Sequence, residues 1–512
     1  MAAVNKIDSN VVSLAYAEEA SIGVLSSPTW YQLNPNSYDD FGGEITTVSA
    51  NPINPSRQRN KGVTTDLDAS GGFNHNWNFY ALLDLFQGAF FADTRQKGTE
   101  EVTAVDVDST NPDEYEVAST TGFLVGNIIK GFGFANSANN AINVVTAVTA
   151  DTSVEVADGQ LVDETVSGAP IIKVVGHQFA GDDLNIVVSG DLPVITSDAS
   201  FDFTTIGLVA GQWIYIGGDS AATQFSASSG ANNGYKRIRS VSDTEIVLDK
   251  SETTMVAESL SGGETIQIFY GDVIKNETGT SIVRRTYHFE RLLGAPDDGS
   301  TDVQSEVLTG TVINEVTFNI PQADLASIDF TLVATDAVQY TAGNELQSSV
   351  QEFYTATDYN TSSDVRRIRM ALISDTDEDP NALFAYVTEA ELTINNNVSP
   401  NKAVGVLGAF DVTAGTFEVG GSVTAYFASV AATQAVRNNS SATIDVMMIK
   451  DNQGMILDLP LISLGNGRLE VEQDEPITLP LEMNAARGRD VATTLDHTFL
   501  ITEFWYLPTA AM

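Results

Sequence analysis

The sequence predicts an all-β chain that carries one amphipathic helix and two small, repeated β modules. Three observations predict this. Apolar and polar residues alternate along many short segments, one segment switches to helical spacing, and a fixed order of motifs recurs in the middle of the chain.

The alternation is plain in three places. Val316, Phe318 and Ile320 alternate with Glu315, Thr317 and Asn319. Ile328, Phe330 and Leu332 alternate with Asp329 and Thr331, and Ile444, Val446 and Met448 do so within TIDVMMI. A period of two places one set on the core face, so each stretch reads as a half-buried strand. Thr, Val, Ser and Gly dominate, with Asn and Asp in the turns, which is the composition of sandwiches and barrels. In NFYALLDLFQGAFF the apolar residues Phe79, Leu82, Leu83, Phe86 and Phe90 recur at helical spacing. This predicts a helix over 78–91, packed on a sheet, with Asn76 or Asn78 as its cap. A second, short helix is expected around Ala431–Val436.

The repeat lies between residues 120 and 271. The first copy reads TTGFLVGNIIKGFGF, a loop with Asn139 and Asn140, INVVTAVTADTSVEV and APIIKVVG. The second reads TTIGLVAGQWIYIGG, a loop with Asn232 and Asn233, YKRIRSVSDTEIVLD and ETIQIFYG. Each copy offers about four short strands, enough for a small barrel or sandwich. Polar stretches at 106–116 and 275–281 read as boundaries. The expected partition is a discontinuous main body, 1–110 and 276–512, interrupted by one module at 111–177 and another at 178–275.

With 512 residues, two to four domains are expected. Asp and Glu number 68 and Lys and Arg 25, so the net charge is −43. Such a surface repels nucleic acid and anionic membranes, because phosphate binding needs clustered cations. It excludes a DNA grip but permits a surface that DNA passes without sticking. Charge alone favours simple solubility as its explanation. There are no cysteines, which excludes disulfides, thiolate metal sites and cysteine nucleophiles. The first twenty residues lack a charged region followed by an apolar stretch, and no run of about 18 apolar residues occurs. The expectation is a protein made in a cytoplasm, with no membrane partner.

Catalytic signals are absent, and no enzyme activity or cofactor is expected. His75, His177, His288 and His497 show no zinc spacing and read as isolated strand or turn residues. No G-x-S-x-G elbow occurs. GFGFAN at 131–136 lacks the third glycine of a dinucleotide loop. Asp375, Asp377 and Asp379 alternate as calcium ligands can, but the positions for the loop glycine and the final glutamate hold other residues. An acidic solvated turn is the preferred reading, so no metal site is assigned.

Cations are scarce and clustered: Arg57, Arg59 and Lys61; Arg366, Arg367 and Arg369; Arg487 and Arg489. Identical acidic neighbours repel unless local cations meet carboxylates across the contact. These residues are therefore candidates for subunit interfaces. The alternative is an exposed loop with its own acidic partner.

Residues 18–91 resemble the N-terminal region of tail tube proteins of long-tailed bacteriophages. The resemblance rests on EEASIGVLSSPTWYQL (Glu19, Gly23, Pro28, Trp30), PSRQRNKGVTTDLDASGGF and the amphipathic helix. Residues 394–427 and the pair EPITLPLEMNAARG and TFLITEFWYLP extend the match to the rest of the expected main body. The resemblance implies a β-sandwich core with one flanking helix. It implies rings, usually hexameric, stacked head-to-tail into a hollow tube in the virion tail, with a loop near 44–66 that stacks on the next ring. It implies tail terminator, tail-tip and tape-measure proteins as further partners, and DNA in passage through an acidic lumen. The two modules would project outward or cover the tube exterior. A secreted adhesin or surface-layer protein suits the acidity and the repeats too. A β-rich glycan-active enzyme stays open, since paired carboxylates need not be neighbours in sequence.

Overall fold

The computed structural model describes residues 6–53, 55, 58–107, 112–180, 183–188, 192–197, 201–260, 264–297, 300–341, 346–347, 349–351, 357–373, 382–384, 386–488 and 495–512. Among the described residues strand makes up 51%, against two α-helices, so the fold is all-β. The chain forms two compact units. The first holds Met1–Asp93, Asn276–Ser362 and Thr388–Thr424; the second holds Thr94–Lys275, Ser363–Val387 and Ala425–Met512.

The first unit is a sandwich organised by one long strand, Gln304–Ile320. Its first half pairs with Tyr287–Gly294 and Asp336–Tyr340. Tyr287–Gly294 pairs in turn with Ser13–Glu18, and that strand with Trp30–Leu33. The second half of the long strand pairs with Ser327–Ala334 and Val387–Asn395. Ser327–Ala334 continues through Val63–Asn76 to Ser37–Val48. One strand thus serves two sheets, the arrangement that closes a sandwich corner. Val316, Phe318 and Ile320 point to the core, as do Ile328, Phe330 and Leu332. Phe73 stacks on Phe330 at 5.0 Å and reaches Phe289 of the other sheet at 6.1 Å.

The helix spans Leu83–Phe90, shorter at its start than the spacing predicts. Asn78 does act as a cap, but for the turn before the helix: its Oδ1 accepts the N–H groups of Tyr80 and Ala81 at 3.3 and 3.0 Å. Phe86 packs on Phe318 of the long strand, with ring centroids 5.6 Å apart. Gly88 lies against Tyr287, where any Cβ would fall 2.7 Å from the ring.

In the second unit the repeat becomes a repeat of topology. The first copy uses Thr99–Asp106, Glu114–Val117, Asn127–Phe132, Ile142–Thr149, Ser153–Val156 and Ile171–Ala180. Neighbours pair in a ring, and the last strand pairs with both the first and the third, which closes a small barrel. The second copy uses Leu184–Val188, Pro193–Ser197, Trp213–Ile216, Gly234–Val241, Glu245–Ser251 and Thr265–Phe269. It repeats the pairings in the same order, except that Glu258–Ser259 sits beside its first strand. The two copies share one apolar core.

The barrel takes in Thr99–Asp106, which precedes the expected boundary at 110/111. Residues 425–512, expected with the main body, group with the modules. There the strands Ala442–Lys450 and Gln453–Asn466 pair with each other, and Leu500–Phe504 pairs with Gln453–Asn466 and Asp272–Lys275. Met447, Ile456 and Phe504 pack with Trp213, Tyr235 and Phe269 of the second copy. The second helix spans Ala431–Arg437.

Candidate assembly surfaces

Strand pairing in the first unit leaves a long hairpin half supported. Ser37–Val48 and Val63–Asn76 pair from Ser37↔Asn74 to Val48↔Val63. At the base, Leu67, Ala69 and Phe73 are buried, and Ala69–Asn76 is held by Ser327–Ala334. Beyond Glu44 and Asp66 the hairpin has no third strand among the described residues, and Glu44–Val48 and Val63–Thr65 are exposed throughout. Past Glu44, its side chains there are all β-branched. Ile45 is 58% exposed, Val63 is 69% exposed, and Val48 and Ile53 are exposed as well. A two-stranded ribbon is marginal in water, and contiguous exposed apolar side chains mark contact surfaces.

A second hairpin repeats this character. Ser399–Lys402 pairs with Ala409–Thr413 as a separate ribbon, and Val404, Val406, Leu407 and Phe410 are exposed around its turn. Lys402 ties it to the base of the long hairpin, with Nζ 2.7 Å from Asp66 and 2.5 Å from Asp68. Hydrogen bonding to Lys402 lowers the Asp66 carboxyl below its ordinary range. The sequence held a signal for this surface in the apolar run of KAVGVLGAF.

The cation clusters separate into distinct settings. Arg59 and Lys61 are exposed in the connection of the long hairpin. Arg366 is exposed on the strand Val365–Leu372. Arg367, on the other face, turns inward: its guanidinium lies 2.7 Å from Asp445 and 3.1 Å from Glu252. Arg369 donates to the Ser251 carbonyl at 3.4 Å. Arg487 is exposed, 3.9 Å from Asp496. Arg57, Arg489 and the Asp375, Asp377 and Asp379 group lie outside the described residues.

The remaining chemical candidates are structural. His75, His177 and His497 are buried singly, and burial lowers each below the ordinary histidine range, His177 to about 4. GFGFAN serves the repeat: Gly131 packs on the Asn139 carbonyl too closely for any side chain. Asn139 is fully buried and forms a bracket that the spacing alone did not reveal. Its Nδ2 donates to Glu164 at 2.8 Å and its Oδ1 accepts from Val162 N at 2.9 Å. Asn232 does the same with Glu258 at 2.7 Å and Val256 N at 2.9 Å. Asn140 and Asn233 each clamp a phenylalanine backbone, at Phe134 and Phe225.

The structure therefore offers a sandwich with projecting, partly apolar hairpins. Comparison with curated proteins gives no match. A family model described as phage tail tube protein matches residues 9–485, and the chain belongs to that family: it is a structural protein of the phage virion tail.

Proposed function

We propose that copies of this chain assemble into rings, six to a ring, that stack head-to-tail into a hollow tube through which DNA is ejected into the host. The observation that carries this reading is the unsupported outer half of the 37–76 hairpin. Its exposed Ile45, Val48, Ile53 and Val63 need a partner surface, and a second copy supplies one. Arg59 and Lys61 sit on the same arm, where they can meet carboxylates of an acidic neighbour. Arg57, in the same loop, joins them in this proposal, as do Arg366 and Arg487 at lateral contacts. A share of the 68 acidic residues would line the channel, where carboxylates keep phosphate from adhering. The two β modules are insertions in the tube body. The chain catalyses no reaction in this reading, is made in the host cytoplasm, and meets tail terminator, tail-tip and tape-measure proteins at the tube ends and lumen.

The test is assembly of the chain carrying Arg57→Ser, Arg59→Ser and Lys61→Ser together. Sedimentation should show folded monomers with normal circular dichroism where the parent forms large particles. Unchanged assembly would remove these cations from the interface.

A further inference from the structure

Within the second unit, a cavity of about 320 Å³ is lined by Arg95, Lys97, Asn127, Thr205, Gly207 and Tyr270. It lies between the two copies of the repeat. Its charge runs against that of the chain. In a protein of net charge −43, two cations line this wall and a third, Lys173, acts on Lys97. The carboxylate that acts on Lys97 is Asp272, and it is already occupied. Lys173 Nζ lies 2.8 Å from it, and the backbone N–H of Lys97 donates to it at 2.7 Å.

The Lys97 side chain itself meets neutral groups. It is 7% exposed, its Nζ donates to the Gly207 carbonyl, and it lies over the Tyr270 ring, 5.5 Å from the centroid. A buried cation without a close counter-charge is costly. Burial, with Lys173 and Arg95 adding to it and Asp272 opposing, brings this ammonium down to about 8. Asn127, in the same lining, is held by hydrogen bonds. Its Oδ1 accepts from Leu124 N at 2.6 Å, and its Nδ2 contacts His177 Nδ1 at 3.2 Å and Tyr270 Oη at 3.4 Å. A cavity of this size, with fixed polar groups and an apolar ring, has the character of a small-molecule site.

We propose that this cavity binds a small hydroxylated anion of monosaccharide size, a sugar acid or a sugar phosphate, with its oxyanion held by Arg95 and Lys97. The cavity is too small for a polypeptide, and the net charge disfavours a polyanion such as nucleic acid. The inference is independent of tube assembly.

Calorimetric titration of the full-length chain tests it, with glucuronate and glucose 6-phosphate as probes and glucose as the neutral control. At least one anion should bind saturably, about tenfold or more tighter than glucose, and Arg95→Gln and Lys97→Gln should each weaken it about tenfold. Preference for glucuronate points to a glycan source, and preference for the phosphate to a free sugar phosphate. Should Lys97→Gln fail to fold, Arg95→Gln, half-buried at the wall, and Thr205→Trp, which fills the rim, carry the test. The proposal is overturned if neither anion binds, if glucose binds equally well, or if binding survives both Arg95→Gln and Thr205→Trp.

Discussion

Glu19 Oε1 accepts the backbone N–H of Gly310 at 2.7 Å, at the residue where the 304–320 strand leaves one sheet for the other. Gly310 is left-handed (φ +59), and a Cβ there would lie 2.2 Å from the Thr335 hydroxyl. The other contacts of the carboxylate are Gly23 N at 2.7 Å, Thr286 Oγ1 at 2.6 Å and His288 Nδ1 at 2.5 Å. One buried carboxylate thus ties the strand switch to the turn at Gly23 and to the start of the 287–294 strand. Replacing it by an amide turns a donor toward donors, so Glu19→Gln should cost about 2–3 kcal/mol in urea unfolding.

The same site predicts a pH dependence. Burial would push the Glu19 carboxyl up, but the bonds from His288, Thr286, Gly310 and Gly23 bring it below its ordinary 4.5. A group depressed in the folded state contributes stability that is whole above 4.5 and is lost as pH falls through the folded value. The urea midpoint of the parent should therefore fall more between pH 7 and pH 3 than that of Glu19→Gln. Equal falls would show that Glu19 is not a source of the acid sensitivity.

In the second unit, Lys250 Nζ lies 2.8 Å from Asp445 and 3.9 Å from Asp458, and Arg237 bridges Asp249 at 2.8 Å and Asp458 at 3.1 Å. These groups are all buried, and they join the second module to the C-terminal strands. Removing one member strands the others, so Lys250→Met should destabilise by about 3–5 kcal/mol. Burial would raise Asp445, yet Lys250 and Arg367 hold it down at about 2. Its contribution is whole above the ordinary 3.8 and is lost as pH falls toward 2. Asp458 has the opposite sign: burial raises it, despite Arg237 and Lys250. Asp445→Asn should therefore flatten the acid limb between pH 4 and pH 2 in thermal melts.

The paired brackets predict paired effects. Asn139→Ala removes three side-chain hydrogen bonds, two of them to the Val162 backbone, and Asn232→Ala removes two; each leaves a glutamate and a backbone N–H short of a partner. Each should cost about 2–3 kcal/mol, and the two values should agree within about 1 kcal/mol if the copies are energetically equivalent. A large loss at one position alone, by calorimetry, would show that the duplication is geometric only.

Much of this architecture was legible in the sequence, and the exceptions have physical causes. Period-two alternation located the core faces of 315–320 and 328–332, because their outward residues stay polar and half-exposed. The same rule misread TIDVMMI as half-buried. The whole run 442–449 is buried, since Asp445 answers Lys250 and Arg367 and Met447 packs near Trp213. A polar residue satisfied by a distant ion pair looks like a surface residue in one dimension. Arg367 hid for the same reason: its cluster suggested a contact between subunits, and its partners lie 78 and 115 positions away in its own chain. The Asn-Asn loops were visible, but not the glutamates that lock them, because nothing local marks Glu164 or Glu258.

The long hairpin gives a prediction that separates assembly from folding. Ile45 and Val63 are exposed, so Ile45→Asp with Val63→Asp should change monomer stability by less than about 1 kcal/mol. On a surface this acidic, the added charge should nonetheless prevent large particles in sedimentation velocity. Loss of monomer folding would instead give the arm a role within its own chain.

Electron cryomicroscopy of the assembled full-length chain tests the central claim most directly. The account predicts stacked rings around an open channel, with the 44–66 arm seated on the next ring and carboxylates facing the lumen. Particles that remain monomeric at every concentration, or a tube whose 44–66 arms stand free in solvent, would contradict it.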